Sequence, residues 1–141
     1  MYTSKEMQVV AVTNRSLCHR PFPEQLEMVC QTHPAFIILR EKDLPAQEYE
    51  KLAAQVLELC HSYEVPCILH TYSDAARALG CTSIHLPLPL LREYAHELND
   101  FTQIGSSVHS VEDAMEAERL GATYVTAGHV YVTDCKKGLA P

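Results

Sequence analysis

Six short apolar runs rich in Val, Ile and Leu punctuate the chain: QVVAVTN (8–14), FIILRE (36–41), CILHTY (67–72), SIHLP (83–87), TQIGSS (102–107) and TYVTAGHV (123–130). Each is too short for a helix and is bounded by turn or capping residues, which predicts six strands. Between them the period changes. Over 45–63, Tyr49, Leu52, Ala53, Val56, Leu57 and Cys60 recur at three- and four-residue steps and define one apolar helical face that should pack on a sheet.

Two further helices announce their ends. One is predicted to start at Ser73, whose hydroxyl can cap free amides, and to stop at Gly80, which can take the left-handed turn. The other starts at Ser110, with Asp113 three residues on, close to a capping box and placed for the positive end of the helix dipole, and stops at Gly121. The two ends repeat each other, ARALGCT (76–82) against AERLGAT (117–123), and each precedes a predicted strand. Duplicated βα units would leave such a trace, and alternating units favour a parallel sheet with outer helices, an α/β fold.

That sheet could be open or closed. No glycine-rich phosphate loop follows the first run, where VTNRSLCHRPF stands, so the dinucleotide-binding open sheet loses its main support. A TIM (β/α)8-barrel type is preferred. An eight-fold barrel takes about 250 residues, or about 200 in compact cases. The 141 residues accommodate six units, with strands 7 and 8 missing, so the expectation is a single partial (β/α) barrel domain over 1–141.

Composition narrows the function. The formal charge is −7 with no clustered Lys/Arg run, which argues against nucleic acid as a partner. No apolar stretch approaches the roughly 20 residues of a membrane span, and MYTSKEMQVV has no signal-peptide pattern, so a cytoplasmic protein without a membrane partner is expected. Cys30/His33 and Cys67/His70 have the two-residue gap of half a zinc site, but no second pair stands at finger spacing. The six cysteines are therefore read as structural thiols, with no metal site.

In a parallel barrel the carboxyl ends of the strands form the active-site mouth. The predicted ends carry Asn14 and Arg15, then Arg40, Glu41 and Lys42, then His70, His85, Ser107 with His109, and His129. Histidine exchanges protons near neutrality, so this grouping suits acid–base work. A strand-end histidine can also serve only to bond a neighbouring loop, the simpler expectation for His70, His85 and His109. His129 differs, because Gly128 before it permits close approach of a ligand and the polar TDCKKG loop follows. Arg40 and Lys42 could bind an anion, with Glu41 as their salt-bridge partner.

Three segments in order, LREKDL (39–44), IGSSVHS (104–110) and YVTAGHVYVTDCKKG (124–138), resemble the thiamine phosphate synthases and their thiazole tautomerase relatives, over nearly the whole chain. Synthases carry an Asn-Asp pair at the third strand end and an acidic residue after the fourth, which hold magnesium on a pyrophosphate leaving group. Here those places read His70-Thr71 and LPLPLL, and magnesium prefers carboxylate oxygens. The sixth strand ends in Gly128-His129-Val130-Tyr131 where synthases have Gly-Pro-Val-Phe. The tautomerase branch is therefore the more similar, and it implies an isomerase that converts a carboxylated thiazole phosphate from its exocyclic-alkene form to the aromatic ring.

The resemblance implies His129 as the catalytic residue, with no redox cofactor and no metal. It also implies that Arg40, Lys42, His70, Ser107, His109 and Lys136 contact the anionic thiazole phosphate carboxylate. The alternatives are a magnesium-dependent synthase joining pyrimidine pyrophosphate to thiazole phosphate, and a catalytically silent thiazole-phosphate-binding or regulatory relative. The family's seventh and eighth strands, whose loops hold the substrate phosphate, would lie beyond Leu139-Ala140-Pro141. The chain is thus expected to be a fragment, inactive alone if truncated, or to have its sheet edges covered in a homo-oligomer or by a partner.

Overall fold

The computed structural model describes residues 7–129. Strands and helices alternate: β1 (Val10–Val12), α1 (Phe22–Gln31), β2 (Phe36–Leu39), α2 (Ala46–Ser62), β3 (Cys67–His70), α3 (Ser73–Ala78), β4 (Ser83–Pro87), α4 (Leu88–Tyr94), β5 (Gln103–Val108), α5 (Val111–Arg119) and β6 (Tyr124–Ala127). All six expected strands are present, and the α/β class stands. The chain divides into two compact units, Met1–Ala75 and Ala76–Pro141.

In the first unit β1, β2 and β3 run parallel, with Ala11 opposite Ile37 and Ile37 opposite Cys67. Successive side chains point to opposite faces. Ala11, Thr13, Ile37, Leu39, Cys67 and Leu69 therefore share one face, and Val12, Ile38, Arg40, Ile68 and His70 share the other. The first face receives the helices. α2 buries Tyr49, Ala53, Val56 and Cys60, all from the expected stripe, while Leu52 and Leu57 at its margins stay partly exposed. The Tyr49 hydroxyl donates to the Leu39 carbonyl at 2.6 Å and accepts from the His70 amide at 2.9 Å, so one side chain ties α2 to two strand ends.

α1 is a helix the hydrophobic pattern did not single out. Pro23 stands within its first two positions, where a missing N–H costs nothing, and the helix buries only Leu26 and Cys30. The Cys30 and Cys60 sulfurs lie 3.9 Å apart. Burial pushes the Cys30 thiol up to about 12, whereas a hydrogen bond with Cys67 pulls Cys60 down to about 7.

In the second unit β4, β5 and β6 are parallel, and their registers align two cross-strand rows: His85–Gly105–Tyr124, then Pro87–Ser107–Thr126. The repeated sequence at the ends of α3 and α5 is repeated in structure. The Cys81 amide donates to the Ala76 carbonyl at 2.8 Å and the Ala122 amide to the Ala117 carbonyl at 2.9 Å. Gly80 (φ 76°) and Gly121 (φ 104°) make the left-handed turn in each case, and Ala76 and Ala117 are both fully buried. α5 begins as expected, with the Ser110 hydroxyl accepting from the Asp113 amide at 3.1 Å. The Asp113 carboxylate accepts from the His109 amide, one residue earlier than a capping box would have it.

Candidate functional site

Each unit gathers polar side chains at the carboxyl ends of its strands. In the first, Arg40 and His70 each follow the paired residues Leu39 and Leu69, so they stand next to each other on the face away from the helices. His70 is 4% exposed, and its Nδ1 shares a 2.8 Å hydrogen bond with the Thr71 hydroxyl. Thr71 holds φ at 73°, a region a β-branched residue enters only under constraint. The chain thus turns sharply just past β3. Lys42 lies exposed in the turn that follows β2.

Glu41 points to the opposite face from Arg40, and its partner is Arg15. The Thr13 hydroxyl donates to one carboxylate oxygen at 2.6 Å, while the Arg15 amide and Nε donate to the other, both at 2.9 Å. Asp43 takes two bonds from Arg15 Nη2, and these bonds, more than those from Glu41, hold the guanidinium protonated. Glu41 is 4% exposed. A carboxylate so buried needs donors close by. Thr13 and Arg15 supply them from the end of β1, a connection the neighbouring cations of LREKDL did not foretell. Glu41 is thus a salt-bridge partner as expected, but of Arg15, past the end of β1, where Arg40 and Lys42 had been expected. A cavity of about 320 Å³, with Thr13 in its lining, lies between β1, its following loop and α1.

The second unit holds the richer group. His85, 1% exposed, bonds through Nε2 to the Ser107 hydroxyl at 2.8 Å and through Nδ1 to the Tyr124 hydroxyl at 2.9 Å. The Thr126 hydroxyl donates to Ser107 at 3.3 Å. Burial pushes the Tyr124 phenol up to about 12. This approach of β6 to β4 across β5 is possible because position 105 has no side chain: a Cβ there would collide with the Tyr124 ring and with His85 Nδ1.

One step further along the strands, His109 Nδ1 lies 2.6 Å from the Gly128 carbonyl. A carbonyl only accepts, so Nδ1 carries the proton and donates, leaving Nε2 as the acceptor of the neutral ring. The expected loop bond of His109 is thus made to the residue that precedes His129. His129 itself is half-buried, with Nε2 shielded from solvent and without a hydrogen-bond partner among the described residues. Ser107, His109 and His129 therefore occur in one neighbourhood, and Lys136 lies outside the described residues. Tyr124, Thr126, Thr13 and Gly105 were not anticipated. A glycine inside a strand pattern was the one available signal, since it marks a close approach.

The residues at the magnesium-binding places of synthases do not suit that ion. His70 is engaged with Thr71, and the residues after β4 form the apolar first turn of α4, with Leu88 and Leu91 buried. No group of three or more His, Cys, Asp or Glu among the described residues is placed to hold a metal, and no described helix is long and apolar enough to cross a membrane.

Fold and site together define a parallel α/β protein that presents histidines and hydroxyls at the carboxyl ends of its strands. The thiamine monophosphate synthase family model matches residues 9–141, and the chain belongs to that family. It is 31% identical over 137 residues to the thiamine-phosphate synthase of Caldanaerobacter subterraneus subsp. tengcongensis, covering 93% of this chain and 63% of that protein. Against the thiamine-phosphate synthase of Clostridium acetobutylicum it is 31% identical over 136 residues, covering 93% and 64%. The structure of a thiamine phosphate pyrophosphorylase from Pyrococcus furiosus matches with a TM-score of 0.76 at 28% identity, over 90% of this chain and 62% of that one. The chain spans less than two thirds of the length of these relatives. Their names accord with the synthase alternative more directly than with the tautomerase preferred from the sequence.

Proposed function

We propose that this chain is part of a thiamine-biosynthesis enzyme acting on a thiazole phosphate, and that its chemistry is proton transfer by His129. The observation that carries the reading is the His129 ring at the end of β6, with Nε2 shielded and free of any partner among the described residues. An imidazole in that condition has a nitrogen whose hydrogen-bonding capacity is unspent, and a substrate that displaced its covering would satisfy it. In the tautomerase reaction a proton leaves the ring carbon bearing the carboxylate and one is added at the exocyclic carbon. A single imidazole can remove and return it on one face, and the gain of aromaticity drives the step. The reaction needs no cofactor. Arg40, Lys42, His70, Ser107, His109 and Lys136 are assigned to the anionic groups of the substrate. A cytoplasmic location and the eight-unit barrel belong to the same proposal, the latter supported by the strand–helix alternation and by the likeness to the Pyrococcus furiosus protein.

The test is to give the exocyclic isomer to the longest natural form of the protein and to its His129→Asn variant, following the aromatic product. General acid–base catalysis by one side chain is worth about 10²–10⁴-fold, and a rate loss of that order is expected. Full rate in the variant would remove the assignment.

A second reading, thiamine phosphate synthase, is favoured by the names of the relatives. It requires magnesium, which the residues at the ends of β3 and β4 do not suit. Magnesium-dependent coupling of pyrimidine pyrophosphate to thiazole phosphate by the protein would decide for it.

A further inference from the structure

Three thiols meet inside the first unit, away from the histidines. Cys30 lies in the last turn of α1, Cys60 in the last turn of α2, and Cys67 opens β3 on the face that receives the helices. Cys30 and Cys60 are 0% and 1% exposed, and their sulfurs are 3.9 Å apart. From that contact, a disulfide of about 2.05 Å is reached by a further approach of roughly 2 Å. Cys67 is partly exposed and is the cluster's contact with solvent. The three differ in reactivity. The hydrogen bond with Cys67 pulls the Cys60 thiol down to about 7, so near neutrality much of it is thiolate, the nucleophilic form. Cys30 is held protonated, at about 12, first by burial and then by the negative charge of Cys60. The second of these causes disappears once the Cys60 sulfur is oxidised and neutral.

We propose that Cys30 and Cys60 are a peroxide-responsive dithiol: Cys60 is oxidised first, and Cys30 closes a disulfide that clamps the end of α1 to the end of α2. The Cys60 thiolate attacks an oxygen of hydrogen peroxide, so an S–O bond forms and the O–O bond breaks. The departing hydroxide takes back from solvent the proton Cys60 had lost, leaving water and a sulfenic acid. The Cys30 sulfur then attacks the Cys60 sulfur. The S–S bond forms, the S–O bond breaks, and hydroxide leaves with the Cys30 proton as water. Two thiols and one peroxide give one disulfide and two waters, with two electrons passing from sulfur to peroxide. Leu26 and Cys30 are the only buried residues of α1, so a covalent link at Cys30 holds a helix that has few other anchors. In a reducing compartment such a bond is transient and reports the oxidant.

The test starts from the longest natural form of the protein, reduced, freed of reductant and given one equivalent of hydrogen peroxide at neutral pH. Remaining thiols are alkylated in denaturant, and the chain is digested after glutamate, which cuts at Glu64 and so separates Cys60 from Cys67. Mass spectrometry should find Cys30 joined to Cys60, and dithiothreitol should undo the link. Hydrogen exchange of the α1 amides should slow on oxidation. In Cys30→Ser the link should be lost, and dimedone, which traps sulfenic acids, should label Cys60. A Cys60–Cys67 bond would overturn the proposal. So would oxidation confined to Cys18, Cys67 or Cys81 while Cys30 and Cys60 are alkylated. The wild type decides both points, whether or not the variant folds. A Cys30–Cys60 bond that leaves exchange in α1 unchanged would refute the clamp.

Discussion

Gly105 is the residue on which the second unit depends. A methyl group there meets the Tyr124 ring and His85 Nδ1, both held by β-strands on either side. Overpacking of this kind costs about 1–3 kcal/mol. Gly105→Ala is therefore expected to lower the free energy of unfolding by that amount, read from denaturant melts, with the His85 resonances displaced. Tyr124 adds a pH dependence of known sign. Its pKa is raised from 10.0 to about 12 by burial, so the folded protein keeps the phenolic proton over a range where the unfolded chain has released it. Stability should fall as the pH climbs from 10 toward 12. In Tyr124→Phe that part of the alkaline loss should disappear. Unfolding followed at pH 9, 10 and 11 checks it.

At the scale of elements, the two repeated helix ends permit a clean measurement. Gly80 and Gly121 adopt positive φ, yet an added Cβ at either meets nothing within 4 Å. Alanine there pays the left-handed backbone cost alone, about 1–2 kcal/mol. Gly80→Ala and Gly121→Ala should destabilise by similar amounts and add in the double variant, as chemical denaturation would show. These ends were legible in the sequence because Ser110, Gly80 and Gly121 act through their own backbone neighbourhoods. The six strands and the stripe of α2 were legible because periodicity reports burial. α1 and α4 were not singled out, since Leu26 and Cys30 on one and Leu88 and Leu91 on the other give too few apolar repeats to register. The site was legible by position and not by partner. His85, Ser107, His109 and His129 could be placed at strand ends. That Thr13 and Arg15 serve Glu41, or that Tyr124 serves His85, depends on pairing across 26 to 39 residues of chain, which no local pattern encodes.

At the scale of the molecule, β1 carries the open question of its free side. Among the described residues β1 pairs with β2 alone, and Val9, Val10 and Val12 are 68%, 37% and 55% exposed. An apolar strand edge of this kind recruits another strand. We propose accordingly that a second copy of the chain or another partner covers this edge. Sedimentation velocity over a hundredfold range of concentration should show self-association of the 141-residue chain, weakened by Val10→Lys. A monomer at every concentration, well folded, would count against it.

The bare backbone at position 105 also carries a consequence for how this protein can diverge. The space a side chain would occupy there is already taken by an aromatic ring from one neighbouring strand, so positions 105 and 124 share a single allotment of volume. Among descendants of this sequence a larger residue at 105 should appear only alongside a smaller one at 124, and with that exchange the phenol would be lost. His85 would then lose its bond to β6, and the link between β4 and β6 across β5 would go with it.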